Sequence, residues 1–236
     1  MRRLFNKGDI VTFDTFLPAV ENKAANTTES KAYSGYVPAQ PADEVATSEL
    51  LGLVLSRQNT SPRRLEAPAP DDKQLEQIFS AAAAAPDHGL LNPWRFISIG
   101  QDQRPALAKA FVLALLERDP GATQEQLQTA SDKAARAPFL ALAVFCPDAN
   151  PTGIRPIEQT ISLGCAIQNV LLAAHALGFG SGLSSGRAMQ SKALRALFNL
   201  AANEEAVCFM AIGSVIKHKL GRLRPTTSSF FLRSGK

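Results

Sequence analysis

The run IEQTISLGCAIQNVLLAAHAL followed by GFGSGLSSG, residues 157–186, decides the architecture. Residues 157–177 are apolar nearly all the way round a helical projection, the pattern of a helix covered on more than one side. Ser162, Gly164, Gln168, Asn169 and His175 interrupt the apolar surface, so the segment reads as a buried helix and not as a membrane span. A single domain offers little to cover every face of such a helix, which points to a subunit interface. Gly178 then serves as the helix C-cap. Residues 178–186 read as a Gly- and Ser-rich turn whose glycines let backbone N–H groups approach a planar ring or an anion. The turn is not a dinucleotide-binding fingerprint, because it follows a helix and its glycines are not spaced G-x-G-x-x-G.

On either side of this unit lie two strand signals. Residues 139–145 form a continuous apolar run typical of a central strand, and residues 206–215 form another. Residues 94–99 alternate and predict a half-buried strand. Helices are expected at 50–56, opened by Ser48 and Glu49, at 73–85, capped by Asp71 or Asp72 and ended by Pro86, and at 104–118. Two more are expected at 124–136, capped by Thr123, and at 191–198. The sum is an α+β domain in which helices dominate and about four strands form the sheet. Residues 1–46 differ. They are rich in Asn, Thr, Ala and Pro without sustained periodicity, and read as an extension that is disordered or packs on the domain or its partner. The domain proper is expected over 47–236.

Composition narrows the function classes. A chain of 236 residues with 45% hydrophobic and 19% charged residues is globular and needs no disulfide staples. The net charge of +4 invites a nucleic-acid reading. Its distribution argues against one: residues 206–236 hold six Lys or Arg and no acid, leaving residues 1–205 at −2. A local basic cluster suits a small anion or a solvated tail, not a polyanion surface. Cys146, Cys165 and Cys208 are too far apart for a zinc knuckle or a CxxC pair and read as buried thiols of a reducing compartment, the cytoplasm. No signal peptide is visible, since Asp9 and Asp14 interrupt any apolar N-terminal stretch. No metal-binding set is expected.

Four constellations are candidates for chemistry. Arg57-Gln58-Asn59-Thr60-Ser61 offers donors for a phosphate or a polyol chain. Asp87-His88 lies between a helix end and a strand. The third is the 178–186 turn, and the fourth is the basic run from Lys217 to Arg224. No GxSxG elbow, HExxH or paired carboxylate appears, and His175 sits on the apolar helix as a core or interface residue. Anion- and ring-binding features without side-chain catalytic machinery imply that a cofactor does the chemistry.

Taken in order, Ser56-Arg57, Ser61-Pro62-Arg63-Arg64-Leu65, Pro68-Ala69-Pro70, Ala85-Pro86-Asp87-His88, Asn92-Pro93-Trp94-Arg95-Phe96, Gly164-Cys165-Ala166 with Asn169, Gly178-Phe179-Gly180 and Ser185-Gly186 resemble the nitroreductase family of FMN flavoproteins. The likeness spans about residues 49–224 and is nearest the compact bacterial NAD(P)H nitroreductases. It implies a three-layer α+β sandwich with a mostly antiparallel sheet flanked by helices, and a homodimer with FMN at the subunit interface. By the same resemblance Arg57, Gln58 and Asn59 hold the phosphate, ribityl and pyrimidine end of FMN. Ala84 and His88 contact the flavin, Leu183, Ser184, Ser185 and Gly186 form the flavin turn, and a backbone N–H of Ser185 or Gly186 faces flavin N5. Residues 173–178 are implied near the nicotinamide donor, and Arg222 and Arg224 near the phosphate. The chain departs from its relatives at several of these places. Gln58-Asn59 replaces a common Arg-Ser, Leu183 a common Trp, Ser184 an Arg or Lys, and Ala84 an Arg.

The resemblance implies an oxidoreductase passing hydride from NADH or NADPH through flavin N5 to a nitroaromatic, quinone or similar small acceptor, in ping-pong order. The competing reading is an FMN carrier or sensor with little turnover, prompted by the altered flavin contacts. Neither nucleic acid nor membrane is an expected partner.

Overall fold

The computed structural model describes residues 44–148, 153–218, 221 and 223–234. Most of the expected N-terminal extension, 1–43, and Arg222 of the expected phosphate cluster lie outside the described residues.

The sheet is organised around β5 (Glu205–Val215). β3 (Phe139–Phe145) runs antiparallel along it, from Phe139 opposite Ile212 to Phe145 opposite Glu205. β4 (Gly180–Ser184) pairs antiparallel with the same stretch, from Gly180 opposite Gly213 to Ser184 opposite Phe209. Two strands bonded to the same residues must occupy opposite edges, so β5 is the middle strand. β2 (Trp94–Ser98) extends the sheet beyond β3, and β1 (Leu65–Glu66) pairs with Val215 and Ser214. All these strand pairs are antiparallel.

Alternation along β3 and β5 makes two cores. Ala141 and Ala143 with Met210 and Ile212 face one way. There they meet Ile78 of α2 (Asp72–Ser80) and Leu163, Ala166 and Val170 of α5 (Pro156–Ala176). Leu140, Leu142 and Val144 with Phe209 and Ala211 face the other way. On that side lie Leu107 and Phe111 of α3 (Arg104–Arg118), Ala130 of α4 (Gln124–Ser131) and Leu194 of α6 (Lys192–Leu197). Helix, sheet, helix is the three-layer α+β sandwich expected from the sequence. Polar residues of α5 are tied to backbone: Ser162 Oγ donates to Pro86 O at 2.6 Å and Asn169 Nδ2 to Ala81 O at 3.2 Å.

Several elements differ from their sequence reading. The first helix, α1, is Glu44–Ser56 and begins before the expected 50–56. The helices expected to reach residues 85 and 136 stop early and continue as 3-10 turns, Ala81–Ala84 and Asp132–Ala135. Their caps are among those read from the sequence, although the first of the two starts at Asp72. Asp71 forms a capping box with Gln74, and Thr123 forms one with Gln126. Among the described residues the sheet has five strands, where about four were expected. β4 lies inside the segment read as a turn, and β1 inside the loop read between 57 and 70.

β4 is a strand because its glycines are what its surroundings require. Thr60 N donates to Ser181 O at 2.8 Å, and Leu183 N to the Asn59 side-chain oxygen at 3.0 Å. The 59–60 segment thus covers the edge of β4 that β5 leaves open. A Cβ on Gly182 would strike Thr60 O, and one on Gly180 would strike Val215 and Leu65. Glycine here permits close approach and does not break the strand.

Candidate functional site

Arg57 leaves α1 with its N–H still bonded to Leu53 O at 3.3 Å. Its side chain turns into a cavity of about 280 Å³, whose walls include Gln58, Asn59, Arg64, His175, Lys217 and His218. Among the described residues no carboxylate lines this cavity. Arg57 Nη1 is buried without a hydrogen-bond partner. Burial, and then the nearby Arg224, holds the Arg57 guanidinium below its ordinary pKa. A buried donor of that kind is costly unless an acceptor meets it. Arg224 is committed to backbone: its Nη2 donates to Leu55 O at 3.0 Å and to Arg57 O at 2.9 Å, fixing the end of α1. His175, read as a core or interface residue, sits at the cavity wall with Nε2 2.9 Å from Ser56 Oγ.

Asn59 and Ser61 also line a second cavity of about 930 Å³. Leu183, Ser184, Ser185 and Gly186 form part of its wall. Gly186 has φ +148°. Neither Ser185 N–H nor Gly186 N–H donates a hydrogen bond among the described residues. Other parts of the wall are basic, with Arg63, Lys133 and Arg136 joined by Arg118 and Arg187. Burial first, and then repulsion from Arg63, lowers the Arg136 pKa, while Asp132 acts in the opposite direction.

The turn carrying Lys133 and Arg136 is braced from behind. Arg104, only 6% exposed, donates from Nη1 to Ala134 O at 2.7 Å and from Nε to Ile99 O at 3.3 Å. The sequence reading did not single out Lys133, Arg136, Arg118 or Arg187. Lys133 and Arg136 fall at the end of the helix expected over 124–136. The local signal was weak, since only the tertiary fold brings this turn opposite residues 183–186.

Ala84 and His88 are placed differently from the other expected contacts. Both are exposed, and neither lines either cavity. His88 Nδ1 lies 2.9 Å from Glu158 Oε2, and Arg155 Nε donates to Glu158 Oε1 at 2.9 Å. These hydrogen bonds, His88 first, hold the Glu158 carboxyl down at about 2.

The three cysteines are free thiols. Burial pushes Cys208 up to about 11. Burial and a hydrogen bond to Glu204 do the same for Cys146. Neither is a thiolate nucleophile at neutral pH. Among the described residues no cluster of His, Cys, Asp or Glu suits a metal ion, and no helix is long and apolar enough to cross a membrane.

Residues 57–214 match the model of the Nitroreductase family. A Haemophilus influenzae protein named "Putative NAD(P)H nitroreductase" is 36% identical over 162 residues, covering 69% of this chain and 87% of that protein. The Escherichia coli K12 protein of the same description, YdjA, is 32% identical over 169 residues, covering 70% and 88%. Among solved structures, a nitroreductase-like family protein from Bacillus cereus superposes with TM-score 0.68 at 19% identity, over 79% of this chain and 96% of that one. A mutant of the FMN- and NADPH-dependent nitroreductase NfnB superposes with TM-score 0.63 at 18% identity, over 78% and 98%. These two likenesses concern the fold.

Proposed function

Because the chain belongs to the nitroreductase family, we propose that it is an FMN-dependent oxidoreductase passing hydride from NADH or NADPH to a small acceptor such as a nitroaromatic or quinone, in ping-pong order. The observation that carries this reading is the pair of basic cavities meeting at Asn59 and Ser61, with Arg57, whose Nη1 is buried and has no partner among the described residues, in the wall of the smaller one. A phosphate in that cavity would give the Arg57 guanidinium an acceptor, and the absence of any carboxylate from its wall among the described residues suits a dianion. The residues present therefore fit FMN.

Arg57 and Lys217 would hold the phosphate, with Arg222, a few residues after Lys217 in the sequence but outside the described residues, as the expected further contact, and Gln58 and Asn59 would hold the polyol and pyrimidine end. Arg224 acts mainly by clamping the loop that presents Arg57. Leu183, Ser184, Ser185 and Gly186 would pack on the ring, with the free N–H of Ser185 or Gly186 offered to N5. Bound FMN supplies the hydride chemistry itself, and the donor and acceptor take turns at one face. The Arg63, Lys133 and Arg136 wall would stabilise the negative charge that the ring gains on reduction.

A homodimer completes the site in this reading. Leu50, Leu51, Val54 and Leu55 of α1 and Ile157 and Ile161 of α5 are large apolar side chains left in solvent by one copy. A second copy covering them would also bring its own Ala84 and His88 to the flavin, which explains why these two lie away from the cavities of their own chain. The cytoplasm, where the three thiols stay reduced, is the proposed compartment.

The test is spectroscopic. Purified protein should carry a yellow flavin spectrum, bleach when NADPH or NADH is added anaerobically, and recover its colour with a nitroaromatic over many turnovers. A colourless protein whose melting temperature FMN leaves unchanged would end the reading. Bound FMN that neither donor bleaches would mark a carrier or sensor instead.

A further inference from the structure

We infer that the larger cavity selects acceptors bearing a negative charge, such as a nitroaromatic carrying a carboxylate or sulfonate. The inference rests on the flavin reading above and concerns what enters after the donor leaves.

Arg63, Arg118, Lys133, Arg136 and Arg187 line the cavity, against Asp119 and Glu125 as the only carboxylates in its wall among the described residues. None of the five cations has an ion-pair partner among the described residues. Arg63 and Arg136 are close enough to repel each other, and Asp132 only partly offsets this. The flavin phosphate is assigned to the smaller cavity, so it does not draw on this set. A reduced ring adds a single negative charge, which leaves the wall with a surplus of positive charge. Like charges facing a cavity raise the local concentration of anions and favour a complementary ligand.

Position supports the same conclusion. Arg187 directly follows the 183–186 turn, and Arg118 ends α3 in the wall of the same cavity. A carboxylate held by these two arginines would orient the rest of the acceptor toward the ring. The anionic group is a handle and is not consumed. For a nitro acceptor the balance is NAD(P)H, one proton and the nitro compound giving NAD(P)⁺, the nitroso compound and water.

The test compares 4-nitrobenzoate with its methyl ester on the FMN-loaded protein, using kcat/KM at low salt. The ester ring is the more electron-poor and the easier to reduce, so chemistry alone favours the ester. Selection by the cavity predicts the acid ahead by about tenfold or more, with the advantage shrinking as salt is added. Calorimetric titration of the oxidised holoprotein should rank the two compounds in the same order without turnover. The double variant Arg118→Gln/Arg187→Gln should lower the acid-to-ester ratio severalfold.

Equal rates, or the ester ahead, in a protein that holds FMN and turns over would overturn the inference and leave the flavin reading intact. Weaker NAD(P)H binding in the variant with an unchanged acid-to-ester ratio would assign the surplus charge to the donor's diphosphate and also overturn it. A protein that takes up no FMN would remove both, and its absorbance would reveal this before any acceptor is added.

Discussion

Arg57 and Arg224 carry like charges a short distance apart, and their contacts separate their roles. Arg57 keeps a buried nitrogen without a partner, whereas Arg224 spends its Nη2 on two carbonyls. Arg57→Ala should therefore weaken FMN binding by about 1.5–3 kcal/mol, the range for a hydrogen bond to a charged group. Arg224→Ala should weaken it less, through a loosened loop, and Arg233→Ala should not change it. Fluorescence titration of FMN checks all three, and equal affinity for Arg57→Ala and wild type would remove the phosphate assignment.

A second residue-scale prediction concerns acid stability. The hydrogen bond from Arg95, assisted by Ala201 N–H, holds the Glu204 carboxyl down at about 2. Arg95 Nε and Nη2 each lie 2.8 Å from a Glu204 oxygen. A carboxyl lowered by folding binds fewer protons in the native state than in the unfolded one, so its contribution is full at neutral pH. That contribution is lost as pH falls from about 4.5 toward about 2. Because the Arg95 side chain is 41% exposed, screening reduces the pair's worth, and Glu204→Gln should cost about 1 kcal/mol at pH 7. Urea unfolding of both proteins across pH should show the gap closing below about pH 4.5.

At the scale of elements, β4 separates what local sequence carries from what it does not. The long apolar helix, the strand Phe139–Phe145 and the caps at Asp71 and Thr123 are legible because periodicity and capping chemistry are local. Residues 180–184 are not, since glycine is a poor strand former and only the tertiary approach of Thr60 makes it the right residue. β1 is hidden for a related reason, being two residues in a proline-rich loop that pair only because Ser214 and Val215 are there to receive them. The point is testable at Gly182. Replacing it with Ala gains strand propensity locally but drives a methyl into Thr60 O. We expect Gly182→Ala to lose stability by about 1–3 kcal/mol from overpacking, and to lose FMN affinity because the displaced 59–60 segment joins both cavities. A melting temperature at or above wild type would refute the close-approach account.

At the scale of the molecule, the positive net charge resolves into two separate features. The C-terminal cluster was legible as a local excess, and Lys217 does reach the smaller cavity. The basic wall of the larger cavity was not, because its members come from the 61–64 loop, α3, the turn after α4 and the residue after Gly186. Two of the expected contacts, Ala84 and His88, lie away from both cavities, as they would if a second copy received them. If the exposed apolar faces of α1 and α5 meet a second copy, dimerisation and flavin binding are coupled, and breaking one weakens the other. Ile161→Asp tests this at a side chain 57% exposed in the single chain, so the substitution costs a monomer little. Within a dimer it would bury an unpaired charge, a change that typically costs several kcal/mol per site. The expected outcome is a protein with native circular dichroism that elutes at half the wild-type mass and binds FMN at least tenfold more weakly. Sedimentation equilibrium with and without FMN reads both effects together, and added FMN should draw the variant back toward the dimer. A variant that stays dimeric, or a monomer that holds FMN as tightly as wild type, would show that each chain builds its flavin site alone.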